Sequence, residues 1–257
     1  MCRFAAYLGP ELPLGRFLLE PDHSLVRQSW QPREMQTAML NADGFGVGWY
    51  NGSAPATYRQ MLPIWADPNL ADLGNSLARR LWLAHVRSAT PGYAAGHANT
   101  QPFADAELLF VHNGFVTDFA YTVRPRLRRW LRPEIEAGIH GGTDSEYLFA
   151  VVRQLLAEDP ERDLTDALRL LHTLLLEWGA EQALLSMALS DGARVVALRH
   201  AMGCDCPSLY FTADDDLFPD AQLVASEPLT EIGFWQAIPP HHLLVLDEDE
   251  PPQLLPL

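Results

Sequence analysis

Two amphipathic stretches, residues 143–158 and 164–178, dominate what this chain can fold into, because each carries an apolar stripe that must be covered. In the first, Tyr147, Leu148, Val151, Val152 and Leu155 recur at i, i+1, i+4, i+5 and i+8; in the second the stripe runs through Leu168, Leu171, Leu174 and Leu175. Short strand-like runs stand on both sides: 3–8, 44–50, 81–87 and 108–112 before, and 184–189, 194–199, 209–212, 222–225 and 243–246 after. Ser190-Asp191-Gly192-Ala193 joins two of these runs and is a hairpin signal. A third helix is expected over 67–80, and Thr143 with Glu146 predicts a capping box, Glu146 reaching back to the helix start. Strands, two long helices and strands again read as antiparallel sheets covered by helices, an α+β layered fold, and not as a run of βαβ crossovers. No linker or repeat divides the chain, so residues 1–257 read as a single domain.

Composition narrows the function classes. A net charge of −15, from 33 acidic against 18 basic residues, argues against a nucleic-acid or anionic-membrane footprint. All 18 basic residues are arginine, which excludes a Schiff-base lysine and a P-loop. The five arginines within 124–132 read as a solvated helix face, and the acidic run 247–250 as a solvated tail. No apolar run is long enough to span a bilayer and no leader is legible, so the expected location is the cytoplasm. Three cysteines make no disulfide framework, and Cys204-Asp205-Cys206 with His241 and His242 is a weak metal half-site; neither metal nor cofactor is expected.

Chemistry concentrates at the N-terminus. Removal of Met1 would leave Cys2 with a thiol and a free α-amino group on one residue, a nucleophile and its candidate base. Both titrate near neutral pH, at roughly 8.5 and roughly 8. Five short motifs follow. In the first, residues 41–49, the glycines are spaced Gly-x-Gly-x-Gly before a strand, which fails the dinucleotide-loop reading and fits close backbone packing instead. The others are His85-Val86-Arg87-Ser88-Ala89-Thr90, Asn99-Thr100-Gln101-Pro102-Phe103, His112-Asn113-Gly114 and Thr143-Asp144-Ser145-Glu146. Each alone has an ordinary explanation: an ion-pairing arginine, a proline-locked loop, a turn, a charge in a first helical turn.

Together, in this order and with Cys2 ahead of them, the motifs resemble the class II glutamine amidotransferases, whose N-terminal cysteine domain is an N-terminal nucleophile hydrolase. The resemblance covers residues 2 to about 150. It implies a four-layer αββα sandwich of two antiparallel sheets between helices. It also implies that Cys2 attacks a γ-glutamyl amide to give a thioester, with Asn113 and Gly114 as oxyanion donors. Arg87 would hold the substrate α-carboxylate and Asp144 its α-ammonium, with Thr90 and Gln101 lining the pocket. No synthase domain is legible after residue 150, so a stand-alone hydrolase of a small γ-glutamyl substrate is expected. Within the family the chain is more similar to the ergothioneine-pathway amidohydrolases. The residues behind this are Met1-Cys2-Arg3, His23-Ser24-Leu25, Gln28-Ser29-Trp30, Pro32-Arg33, Asn41 to Tyr50, Pro63-Ile64-Trp65 and Arg87 to Gly92. That branch removes glutamate from γ-glutamyl-hercynylcysteine sulfoxide, and a betaine leaving group would suit aromatic walls. Trp30, Trp49, Trp65, Tyr93 and Phe103 are candidates, most of them read as core. Phe4 and the stretch from His97 to Gln101 depart from that branch. A glutaminase subunit feeding ammonia to a separate synthase, a catalytically silent γ-glutamyl or glutamine binder, and a homo-oligomer all stay open.

Overall fold

The computed structural model describes residues 2–34, 40–89, 96–213 and 215–257. The early strands are β1 (Arg3–Pro13), β2 (Phe45–Asn51), β3 (Ala54–Gln60), β4 (Ala78–Val86), β5 (Phe103–Ala104) and β6 (Leu109–Val116). The later ones are β7 (Ala183–Ser190), β8 (Arg194–Met202), β9 (Tyr210–Thr212), β10 (Gln222–Ala225), β11 (Gln236–Ala237), β12 (His242–Asp247) and β13 (Glu250–Pro256). Helices α1 (Leu14–Leu18), α2 (Leu25–Gln28) and α3 (Leu70–Ser76) lie in the first third of the chain. Helices α4 (Arg124–Trp130), α5 (Pro133–Glu136), α6 (Asp144–Glu158) and α7 (Leu164–Glu177) lie in the middle. Among the described residues the strands form two antiparallel sheets, ordered β11-β9-β10-β1-β4-β2-β3 and β13-β12-β8-β7-β6-β5.

Strand alternation sorts the side chains into three apolar layers. Phe4, Leu8, Leu81 and Leu83 of the first sheet meet Leu109, Val111, Ala197 and Leu244 of the second, filling the space between the sheets. On the outer face of the first sheet, Tyr7, Val47 and Trp82 pack under Leu14, Phe17 and Leu18 of α1. On the outer face of the second, Phe110, Leu185 and Met187 pack under Leu148, Val151 and Val152 of α6 and Leu168 and Leu171 of α7. The two helical stripes read from the sequence therefore cover one sheet, and the architecture is the αββα sandwich.

Several boundaries differ from the sequence reading. The helix expected over 67–80 is α3 alone, and β4 begins at Ala78, because Arg79 and Ala78 pair with Leu12 and Pro13 across a bulge in β1. Ladder pairing outweighs the helical pattern there. The acidic run 247–250 is no tail: Asp247 pairs with Glu250, and the chain returns as edge strand β13. Its prolines are tolerated at a sheet edge, where an N–H is dispensable. The hairpin at Asp191-Gly192 forms as expected, with Ser190 opposite Val195 and Gly192 at φ +92°. Arginines 126, 128 and 129 of α4 are exposed while Leu127 is buried.

The glycines of β2 are required by close approach. A Cβ on Gly46 would lie 2.3 Å from the Gln101 carbonyl oxygen, and one on Gly48 would lie 2.9 Å from Leu109 Cδ2. Gly46→Ala is accordingly expected to cost about 1–3 kcal/mol by overpacking. A urea-unfolding midpoint unchanged from wild type would show instead that the 101 segment yields freely.

Candidate active site

Antiparallel pairing of β1 with β4 sets Arg3 opposite Val86 and so brings Cys2 beside the residues that follow β4. The Ser88 N–H donates to Cys2 Sγ at 3.4 Å, and the thiol faces the Ser88 carbonyl at 3.6 Å. Burial pushes the thiol pKa up, against the pull of the Ser88 backbone and the positive charges of Arg87 and Arg3. Met1, Thr90 and Tyr93 lie outside the described residues.

Cys2 opens into a small cleft that is also lined by Arg87, Gln101, Gly114 and Asp144. Arg87 is buried, and among the described residues its Nη1 reaches the Asp43 carbonyl alone, at 3.4 Å. Among the described residues its guanidinium makes no ion pair. A buried, uncompensated guanidinium at the wall of a cleft is a strong anion-recognition group. Asp144 stands in the first turn of α6, where its Oδ2 accepts from Val116 N–H and its Oδ1 from Ser145 N–H, both at 2.8 Å. Each oxygen keeps a further lone pair. The cleft thus places a cation and an anion near one thiol.

The second sheet contributes β6. The Gln101 side chain clamps the His112 backbone, its Oε1 accepting from His112 N–H at 2.6 Å and its Nε2 donating to the His112 carbonyl at 3.0 Å. His112 Nε2 faces the Leu184 carbonyl at 2.9 Å and so carries the proton; Nδ1 then accepts from Ser145 Oγ, also at 2.9 Å. Burial lowers the His112 pKa, Asp144 opposing. The next residue, Asn113, is fully buried, and among the described residues neither its Nδ2 nor its Oδ1 has a hydrogen-bond partner. Among the described residues Ser186 Oγ on the paired strand is unpartnered too. Burial, then the charges of Arg87 and His112, lower the His85 pKa to about 3, so this imidazole is neutral. Gly114 admits no side chain, since a Cβ would lie 1.8 Å from the Leu184 carbonyl oxygen.

One wall of the cleft is held differently from the sequence reading. Thr143 caps α6 as expected, its Oγ1 accepting from Glu146 N–H at 3.3 Å. Glu146, however, accepts from the His140 and Gly141 amides at 2.8 and 2.6 Å, and does not complete a capping box. The upstream loop is wound closely enough to compete for the carboxylate. Of the aromatic candidates, Phe103 is in the core and Trp49 packs on Trp82, whereas Trp30 and Trp65 are exposed; Arg27 covers the Trp30 ring at 4.1 Å. At the far end of the second sheet, His241 Nδ1 lies 2.8 Å from His200 Nδ1, and the Cys204 thiol donates to the Met202 carbonyl. Among the described residues no group of three His, Cys, Asp or Glu is arranged to hold a metal ion, and no helix is long and apolar enough to cross a membrane.

A family model of the class-II glutamine amidotransferases matches residues 17–254. The chain belongs to that family. It is 30% identical to the probable glutamine amidotransferase DUG3 of Saccharomyces cerevisiae, covering 96% of this chain and 82% of the relative. It is also 30% identical to the γ-glutamyl-hercynylcysteine sulfoxide hydrolase of Mycolicibacterium smegmatis, covering 95% of each. Among solved structures, a glutamine aminotransferase class-II domain protein from Silicibacter pomeroyi superposes with a TM-score of 0.71 at 26% identity, covering 99% of both chains. The fold and the family thus agree with the resemblance carried by the motifs, and the chain is a class II glutamine amidotransferase-type enzyme.

The sequence reading missed Glu227, which no periodicity or motif marks. Its carboxylate accepts from Arg3 Nε and His23 Nε2, each at 2.8 Å, and from the amides of Arg33 and Glu34 at 2.8 and 3.1 Å. Burial alone would push this carboxyl up; the donors His23 and Arg33 and the charge of Arg3 outweigh it and hold the pKa at about 2. The stabilisation, on the order of 3 kcal/mol, is present above the ordinary glutamate range and lost as pH falls towards 2. Unfolding free energy should therefore fall more steeply between pH 4.5 and 2 in wild type than in Glu227→Gln. Parallel curves would refute a depressed carboxyl.

Proposed function

We propose that the protein is an N-terminal-cysteine amidohydrolase that cleaves a γ-glutamyl amide through a thioester, removing glutamate from γ-glutamyl-hercynylcysteine sulfoxide. The observation that carries this reading is that Asp144 and buried Arg87, which has no ion pair among the described residues, both line the cleft that holds the Cys2 thiol. A planar guanidinium and a carboxylate together suit the α-carboxylate and α-ammonium of a free amino-acid head group. The γ-linkage is then selected by reach.

The reaction follows from the groups present. Removal of Met1 frees the Cys2 α-amine, which takes the thiol proton through a water molecule. Sγ attacks the γ-carbonyl carbon, and the oxyanion is met by Asn113 Nδ2–H and the Gly114 N–H. The proton passes to the leaving nitrogen, the C–N bond breaks, and a γ-glutamyl thioester stays on Cys2. Water, deprotonated by the same amine, attacks the thioester and releases glutamate and the thiol. What supports this role is that Asn113 precedes Gly114 of the cleft wall and that its buried amide has no hydrogen-bond partner among the described residues, so it is free to take one. Gln101 is assigned to the pocket wall, acting through its clamp on His112.

The deciding assay is glutamate release by Met-processed protein from γ-glutamyl-hercynylcysteine sulfoxide and from glutamine. Release from the sulfoxide at far higher kcat/KM is expected; release mainly from glutamine would identify an ammonia-supplying subunit instead. Binding of γ-glutamyl compounds with no release would identify a silent binder. Two variants separate the roles. Asn113→Ala is expected to lower kcat by about 10²–10³-fold, the cost of one oxyanion donor. Arg87→Lys is expected to act chiefly on KM, since an ammonium cannot copy the bidentate fork. A kcat unchanged in Asn113→Ala would remove the oxyanion assignment.

A further inference from the structure

We infer that the buried Arg3–Glu227 pair is a positioning device for the N-terminal nucleophile; the inference rests on the reading of Cys2 above. In a chain whose nucleophile and base both belong to residue 2, the backbone orientation of that one residue sets both groups at once. Cys2 precedes β1, so it lies outside the strand ladder. Its carbonyl is instead held by a side chain: Arg3 Nη1 donates to Cys2 O at 3.0 Å. The same guanidinium donates through Nε to Glu227 Oε1 at 2.8 Å. One rigid planar group thus ties the nucleophile's own peptide to a fixed carboxylate.

Glu227 is suited to be the fixed end. Its carboxylate accepts from Arg3, His23, Arg33 and Glu34. Gln28 Nε2 donates to the carbonyls of both His23 and Glu227, at 2.9 and 3.1 Å. Next door, Ser226 N–H donates to the Phe4 carbonyl, and Phe4 N–H donates to Ser226 Oγ, at 2.9 and 3.0 Å. The anchor therefore joins the start of β1, the end of β10 and the 23–34 segment. Both members of the pair are about 1% exposed. Burying two charges is a poor route to stability, and replacing such a pair by apolar residues is often neutral or better. Arg3 Nη2 is also buried without a partner among the described residues. A device selected for stability alone would satisfy that donor; one selected to hold the Cys2 carbonyl need not.

The test uses Arg3→Lys in the full, Met-processed chain. Lysine keeps the charge facing Glu227, but a single ammonium cannot span Glu227 Oε1 and the Cys2 carbonyl as the fork does. Expected are a kcat lower by about tenfold or more, as for a misplaced reacting group, a KM within about twofold of wild type on the same scale, and slower alkylation of Cys2 by iodoacetamide at fixed pH. A double variant, Arg3→Met with Glu227→Leu, removes both charges together. Its melting temperature should fall, because His23 and the amides of Arg33 and Glu34 lose their acceptor, and at a temperature where it is folded kcat and alkylation stay depressed. Wild-type kcat in Arg3→Lys, recovery of kcat in the double variant, or a loss confined to KM would each overturn the proposal. If wild type releases no glutamate from any γ-glutamyl amide, the catalytic reading fails. The alkylation rates then decide the positioning role: equal rates in wild type and both variants would overturn it.

Discussion

Antiparallel pairing of β1 with β4 places Arg3 opposite Val86, and from that register the surroundings of Cys2 follow. Residues 2 and 88 come into contact because the first residue of one strand faces the last of the other. A slip of one residue would turn Phe4, Leu8, Leu81 and Leu83 out of the layer between the sheets, so the hydrophobic alternation itself locks the site. The apolar core and the cleft are specified by the same pattern.

The polar groups near the cleft divide into two kinds. Those that build it are satisfied: Gln101 on the His112 backbone, Asp144 on Val116 and Ser145, Glu146 on the 140–141 amides. Others are left open. Among the described residues the Asn113 amide and Ser186 Oγ are buried without a hydrogen-bond partner, and the Arg87 guanidinium has no ion pair, polarity that folding alone does not reward. A buried polar atom without a partner costs about 1–3 kcal/mol. At Arg87 and Asn113 the proposed substrate would supply the missing partner.

Much of the fold was legible, for identifiable reasons. The stripes of α6 and α7 are long and periodic, and the inner strands are continuous apolar runs, so both survive single-sequence reading. The missed strands β3, β5, β11 and β13 lie at sheet edges or span two residues, where one face is wet and the alternation fades. Arg79 and Arg80 looked helical beside Leu70 and Leu73, and only the distant partners Leu12 and Pro13 draw this segment into a ladder. Around the site, Cys2, Arg87, Gln101, Gly114 and Asp144 were marked by short motifs and do line one cleft. Glu227 could not be marked, because its donors come from residues 3, 23, 33 and 34, some two hundred positions away.

By itself the sequence determined the residue types that a γ-glutamyl site would need: a cysteine that methionine removal would expose, an arginine in a chain without lysine, and an Asn-Gly at a strand. It also determined the layering, since amphipathic helices and apolar strands admit few ways to bury their faces together. Tertiary structure alone decided which polar groups are spent on the scaffold and which stay open to a ligand. Glu146 was drawn to a loop, Glu227 to Arg3, and Arg87 was left without a counter-ion among the described residues. Hydrophobic burial is set by local periodicity, whereas a charge finds its partner only when distant segments meet.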